Sequence, residues 1–96
     1  MDTYVIDVSN AKNRNDLHDI LSESLDLPPY YGRNLDALYD CLSDLLPGHQ
    51  TLLCLKGFSS LPDEISAYGK RILSVIGLVE AEINSAADSV LLLQYV

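Results

Sequence analysis

Asn34-Leu35-Asp36-Ala37-Leu38-Tyr39-Asp40-Cys41-Leu42-Ser43-Asp44-Leu45-Leu46-Pro47-Gly48-His49-Gln50-Thr51-Leu52-Leu53-Cys54-Leu55 reads as a helix, a stop and a strand in succession. Leu35, Leu38, Leu42 and Leu45 recur at three- and four-residue spacing, on one stripe at about 100° per residue, so Asn34 to Leu46 is predicted helical. Pro47-Gly48 ends it, because neither residue continues a helix readily. Thr51 to Leu55, stopped by Gly57, is apolar on both alternating sets, the pattern of a strand covered on both faces or held centrally in a sheet. A helix that leads straight into a central strand is the joint of an α/β fold.

Working outward, Tyr4-Val5-Ile6-Asp7-Val8 is a short β-branched run ended by Ser9-Asn10 and reads as a buried first strand. Asn13 or Asn15 caps a first helix whose apolar positions are Leu17, Ile20, Leu21 and Leu25, with Asp16 and Asp19 in its favourable first turns. Asp26 to Gly32 is a stiff, aromatic loop, since Pro28 and Pro29 lack donors and restrict their neighbours. Downstream, Ser60 before Leu61-Pro62-Asp63-Glu64 signals a helix start, and Ile65, Tyr68, Ile72, Val75, Ile76, Val79 and Ile83 carry the period to about Asn84. Gly69 is expected to split this stretch into a short and a long helix. Val90 to Val96 closes the chain as a last strand. Strands alternating with helices predict an α/β domain spanning residues 1–96: a three-stranded parallel sheet, right-handed crossovers, and helices packed mainly on one side.

With 96 residues and 10.6 kDa there is room for one core, and 48% hydrophobic with 21% charged residues suits a compact folded chain. Six Lys and Arg against fourteen Asp and Glu give a formal net charge of −8. A field of that sign repels phosphate backbones and anionic lipid, which argues against nucleic acid and membranes as partners and for a basic protein surface. Cys41 and Cys54 cannot build a framework of several bridges, and no charged and apolar leader opens the chain at Met1-Asp2-Thr3-Tyr4, so a cytoplasmic protein with reduced thiols is expected. No apolar run approaches the roughly 18 residues of a membrane span.

Asp36, Asp40 and Asp44 lie four apart, stacked along one stripe roughly opposite the leucines. Like charges at that spacing cost about 0.2–0.5 kcal/mol per pair, and Asp44 sits where the helix dipole opposes it. The stripe reads either as a solvated face or as a surface waiting for a cationic partner. Tyr30, Tyr31 and Tyr39 beside it favour an interface, the alternative being that one or two of them simply close the core. Asn34 reads as a cap or as a contact.

Leu27-Pro28-Pro29-Tyr30-Tyr31-Gly32-Arg33-Asn34-Leu35-Asp36-Ala37-Leu38-Tyr39-Asp40-Cys41-Leu42 closely resembles the loop and second helix of the barstar family, intracellular inhibitors of secreted guanyl-preferring bacterial ribonucleases. Asp16-Leu17-His18, the two later strands and the chain length resemble that family as well. The resemblance implies a small domain that plugs a ribonuclease active site with this helix and loop. It implies that Asp40 enters the enzyme's phosphate-binding pocket, that Asp36 faces the basic rim and that Tyr30 packs over a catalytic histidine. Asn34 and Tyr39 match further interface positions, and Tyr31, Gly32, Leu35, Ser43 and Asp44 belong to the same loop and helix. Glu80, or else Glu82, matches a distal glutamate. The implied complex is a 1:1 heterodimer with a secreted ribonuclease, the free protein being monomeric and needing no cofactor. The family pattern has a glutamate in place of Arg33, a tryptophan in place of Tyr39 and a glycine-tryptophan pair in place of Asp44-Leu45. Arg33 is expected to weaken the acidic surface at one edge and Asp44 to strengthen it at the other.

Other chemistries fit less well. Three aspartates on one convex helix face lack the pocket that would drive two carboxyl groups into different protonation roles, so catalysis is not expected. A straight helix does not wrap a hard cation as a loop does. His18 and His49 read as ordinary surface residues, Cys41 as a small hydrophobe on a helix flank and Cys54 as part of a buried strand. The rival function is an acidic adaptor for a basic partner that is not a nuclease.

Overall fold

The structure, a computed structural model, describes residues 2–85 and 88–96. Met1, Ala86 and Ala87 lie outside the described residues, and with them small parts of the 1–96 span and of the chain opening read above. In chain order the elements are β1 (Asp2–Asp7), α1 (Arg14–Leu25), α2 (Leu35–Leu45), β2 (Gln50–Lys56), a 3₁₀ turn (Phe58–Ser60), α3 (Asp63–Asn84) and β3 (Val90–Tyr95). The sheet order is β1-β2-β3, all parallel, with Tyr4 opposite Leu53 and Leu53 opposite Leu93. Two parallel neighbours in sequence order require a crossover between each pair, and α1 with α2, then α3, supply them.

The register explains which face is covered. Ile6, Thr51, Leu53, Leu55 and Leu91 share one face and are buried beneath the helices. The four aliphatic residues among them meet Leu17, Leu21 and Leu25 of α1, Leu38 and Leu42 of α2, and Ile65, Ile72, Ile76, Val79 and Ile83 of α3 in one hydrophobic cluster. The opposite face carries Val5, 52% exposed, and Leu92, 46% exposed, with Leu52 and Cys54 half-buried between them. The molecule measures 39 × 29 × 18 Å, and its short dimension is that of one sheet and one layer of helices.

Three expectations are corrected here. β1 and β2 are covered on one face only, so Cys54 is not interior; its Sγ lies 3.4 Å from Gln94 Oε1 on the outer face. β2 is central in strand order, and its apolar outer set follows from its neighbours rather than from a second helix layer. Gly69 does not split α3, which runs unbroken for 22 residues. A Cβ at Gly69 would meet Leu61 Cδ1 at 2.4 Å, so the glycine allows the 3₁₀ turn and the start of α3 to pack closely. Ser60 belongs to that turn and not to a cap of α3.

Candidate functional site

The loop between α1 and α2 is built by its two ends. α1 closes with Asp26 in the left-handed region at φ 52°, and the Leu27 N–H returns to the Ser22 carbonyl at 2.9 Å, a Schellman-type closure that buries Leu27. The prolines then hold the chain stiff, and the Tyr31 N–H donates to the Pro28 carbonyl at 3.0 Å. Arg33 is the second non-glycine residue at positive φ, 56°. Its guanidinium donates to the Asn15 carbonyl at 2.9 Å, to Asn15 Oδ1 at 2.6 Å and to Asp19 Oδ1 at 2.8 Å, which ties this conformation to α1. Asn34 then starts α2: its Oδ1 accepts from the Ala37 N–H at 2.8 Å and its Nδ2 donates to the Gly32 carbonyl at 3.2 Å.

α2 turns Leu38 and Leu42 inward, both fully buried, and Asp36, Asp40 and Asp44 outward, all exposed. Among the described residues none of the three has an ion-pair partner; the pairs formed elsewhere are Arg33–Asp19 and a looser His49–Asp2 contact at 3.8 Å. Tyr30 is 83% exposed at the head of this face. Pro28, Tyr30, Cys41, Asp44 and Leu45 line a shallow groove of about 270 Å³ between loop and helix. Burial first, then Asp44 and Asp40, push the Cys41 thiol upward, which keeps it protonated and unreactive.

Tyr39 sits half-buried at the other edge of α2 and donates its hydroxyl to Glu82 of α3, 2.6 and 2.7 Å from the two carboxylate oxygens. That hydrogen bond is the main reason its phenol is pushed above the usual range. Glu82, rather than Glu80, is therefore the α3 acid joined to this face; Glu80 is half-buried on the same helix. Ser43 stands beside the Tyr39 hydroxyl, but its own Oγ is buried outside hydrogen-bonding geometry with any described residue. Gly32 is exposed and Leu35 half-buried, both on the rim of the face.

Three readings made from the sequence change. Arg33, expected at the edge of the acidic stripe, has its guanidinium held on Asp19 and Asn15 of α1. Tyr31 is not a surface contact: it is 7% exposed and lies in the core. His18 is no surface residue either, at 3% exposed, with its ring nitrogens 2.6 Å from Tyr31 Oη and 2.7 Å from Tyr68 Oη. The signal for His18 was present, since it precedes Leu21 by three and Leu25 by seven and so shares their face of α1. The links from Arg33 to Asp19 and from Tyr39 to Glu82 have no such local signal. His49 is exposed, as its place in a turn suggests. Among the described residues no group of three His, Cys, Asp or Glu side chains is placed to hold a metal ion, and no helix is long and apolar enough to cross a membrane.

Residues 1–94 match a family model described as Barstar (barnase inhibitor). The chain is also 40% identical over 84 residues to a Bacillus subtilis (strain 168) protein named "Putative ribonuclease inhibitor YrdF", an alignment covering 88% of this chain and 91% of that protein.

Proposed function

The chain belongs to the barstar family, and from that premise we propose that it inhibits a secreted, guanyl-preferring bacterial ribonuclease by laying α2 and the preceding loop into the enzyme's active site. Membership puts it among inhibitor proteins and not among enzymes. The observation that carries the reading is the exposed row Asp36, Asp40 and Asp44, free of ion-pair partners among the described residues and headed by exposed Tyr30. An enzyme that stabilises a transferring phosphate holds a convergent cationic pocket, and a carboxylate on a rigid helix can occupy it without being cleaved.

In this reading Asp40, at the middle of the row, enters the pocket. Asp36 and Asp44 meet the basic rim and raise the encounter rate more than the affinity. Tyr30 supplies the aromatic anchor, and Asn34, Gly32, Leu35, Tyr39 and Ser43 shape the contact around it. Glu82 takes the α3 role through its bond to Tyr39, while Glu80, the residue matched first from the sequence, lies two residues earlier on α3. Tyr31 supports the loop from below. The complex is one to one, the free protein is monomeric, and it acts in the cytoplasm of the cell that makes the ribonuclease, without a cofactor.

The test is titration of the purified protein into an RNA-cleavage assay with a guanyl-preferring bacterial ribonuclease, at low and moderate salt, with Asp40→Ala alongside. Stoichiometric loss of cleavage that Asp40→Ala abolishes supports the reading. Full cleavage in the presence of folded protein, across several such enzymes, overturns it in favour of an acidic adaptor for another basic protein.

A further inference from the structure

β3 is an edge strand, paired with β2 on one side alone. The Val90 N–H donates to the His49 carbonyl at 3.1 Å and the Val96 N–H to the Leu55 carbonyl at 3.0 Å, so the even-numbered residues turn their backbone groups to β2. Leu91, Leu93 and Tyr95 therefore turn theirs outward. At Leu91 one side chain meets both groups: Asn84 Oδ1 accepts from its N–H at 2.8 Å, and Asn84 Nδ2 donates to its carbonyl at 2.9 Å. Asn84 stands where a fourth strand would begin. Among the described residues nothing does the same for Leu93 and Tyr95. β1 has an aspartate at each end, whereas β3 carries no charge and no proline, the usual means of blunting an edge.

α3 forms a wall beside this edge. Asn84, Glu80, Gly77, Leu73 and Lys70 are spaced by four, three, four and three residues, so they share one stripe. Both ends of the stripe reach β3. Asn84 does so through its bonds to Leu91, and Lys70 and Leu73 line, with Phe58, Tyr95 and Val96, a hollow of about 370 Å³. Between them Gly77 leaves a gap, since a Cβ there would have no atom within 4 Å. Glycine weakens a helix interior, and no neighbour among the described residues requires one here. Lys70 and Glu80 have no ion-pair partner among the described residues. The stripe faces away from α2, because Glu82, which bonds Tyr39, is about 200° round the helix from Glu80.

We infer that the groove between the β3 edge and this stripe binds an extended segment of a partner protein, which adds a fourth, antiparallel strand beside β3. Antiparallel pairing is the more stable per residue, and Leu93 and Tyr95 each offer it an N–H and a C=O. The two charges set the chemistry of the segment. Lys70 and Glu80 lie ten residues apart on α3, about 15 Å along a helix, a distance that four residues of a strand span at about 14 Å. An antiparallel strand runs from the Lys70 end to the Asn84 end. The segment therefore presents an acidic residue to Lys70, an apolar residue two positions on to Leu73 and Gly77, and a basic residue two beyond that to Glu80. None of β1, β2 and β3 carries an acid followed by a base, so a second copy of this chain does not supply the strand. The site is separate from the α2 face and does not rest on ribonuclease inhibition.

The probe is the end-blocked peptide Thr-Glu-Thr-Val-Thr-Lys-Thr, titrated into the intact protein and followed by amide NMR and amide exchange. The Leu93 and Tyr95 amides are expected to shift and, at saturation, to gain protection of about tenfold or more, while the amides of α2 stay in place. The same peptide with N-methylvaline at its centre keeps the side chain and loses a main-chain donor. The peptide with glutamine for both charged residues keeps the backbone and loses the charges. Each is expected to bind about tenfold more weakly. Gly77→Leu fills the gap with a better helix former, so it melts no lower than the wild type and also binds the probe about tenfold more weakly.

Unmoved Leu93 and Tyr95 amides at millimolar peptide overturn the proposal, as does equal binding of the N-methylated peptide or equal binding by Gly77→Leu. Equal binding of the glutamine peptide overturns the roles of Lys70 and Glu80. A shift of the same two amides when the protein alone is concentrated, with a matching rise in sedimentation coefficient, overturns the partner segment in favour of a second copy.

Discussion

α1 and α2 are built alike and used differently. Each opens with an asparagine whose Oδ1 accepts a backbone N–H three residues on, at 2.8 Å in both cases, and each has an aspartate in its first turn. In α1 four polar side chains find partners within the molecule: Asp16 accepts from the Lys12 N–H, Asp19 from Arg33, Arg14 lies over Tyr68, and His18 is buried between two phenols. In α2 the corresponding charges have no such partners among the described residues. Capping and the apolar stripe make both helices; what distinguishes the second is an acidic face that the fold itself does not neutralise. A protein that holds like charges together without compensation is suited to a partner that brings the opposite charge.

The largest effect that sharpens this comparison is expected at Asp40. Asp40→Ala should raise the dissociation constant for the ribonuclease at least about 100-fold, or roughly 3 kcal/mol, because it leaves a buried cationic pocket unpaired. Its thermal midpoint should stay close to that of the wild type. Calorimetric titration checks the first and a melting curve the second. Equal, small losses at Asp36, Asp40 and Asp44 would break the comparison and point to diffuse attraction.

Next come the caps. Asn13→Ala and Asn34→Ala should each lower stability by about 1 kcal/mol in denaturant unfolding, as expected for a lost N-cap. Only Asn34→Ala should also weaken binding, since it loosens the turn at Gly32 that the α2 face begins from. A matching loss of affinity in Asn13→Ala would show that α1 contributes to the interface directly.

Arg33→Gln removes a half-exposed ion pair with Asp19 and should cost less than about 1 kcal/mol in stability. The association rate should change little, because the charge removed points at α1 and not at the stripe. A rate increase as large as that from adding an acid on α2 would mean that Arg33 does dilute the face. Smallest is Asp44→Asn, which relieves a like-charge neighbour and an unfavourable dipole position. It should stabilise the fold by a few tenths of a kcal/mol at low salt while slowing association, with stopped-flow mixing at two ionic strengths as the check.

Much of this was legible in the residues. The spacing of Leu35, Leu38, Leu42 and Leu45 predicts α2 within a residue at each end, Asn34 is its cap, and the parallel sheet with helices on one side follows from the alternation of apolar runs. Exposure of the aspartate row follows from the same helical arithmetic. The errors concern residues whose environment is set by a distant element. Gly69 looked like a break because glycine weakens a helix in isolation, yet Leu61 packed against it outweighs that tendency. Cys54 looked interior because apolar residues on both faces of a strand suggest two covering layers, and only one exists.

Local periodicity and capping were enough to determine the elements, their order and the acidic stripe, because these depend on contacts within about one turn or between neighbouring strands. Three matters depended on the tertiary structure alone. Arg33 faces α1, Tyr39 reaches across to Glu82, and His18 bridges Tyr31 and Tyr68, 13 and 50 residues away. A polar side chain gives up water only where folding brings it a partner, and no local pattern records which partner arrives.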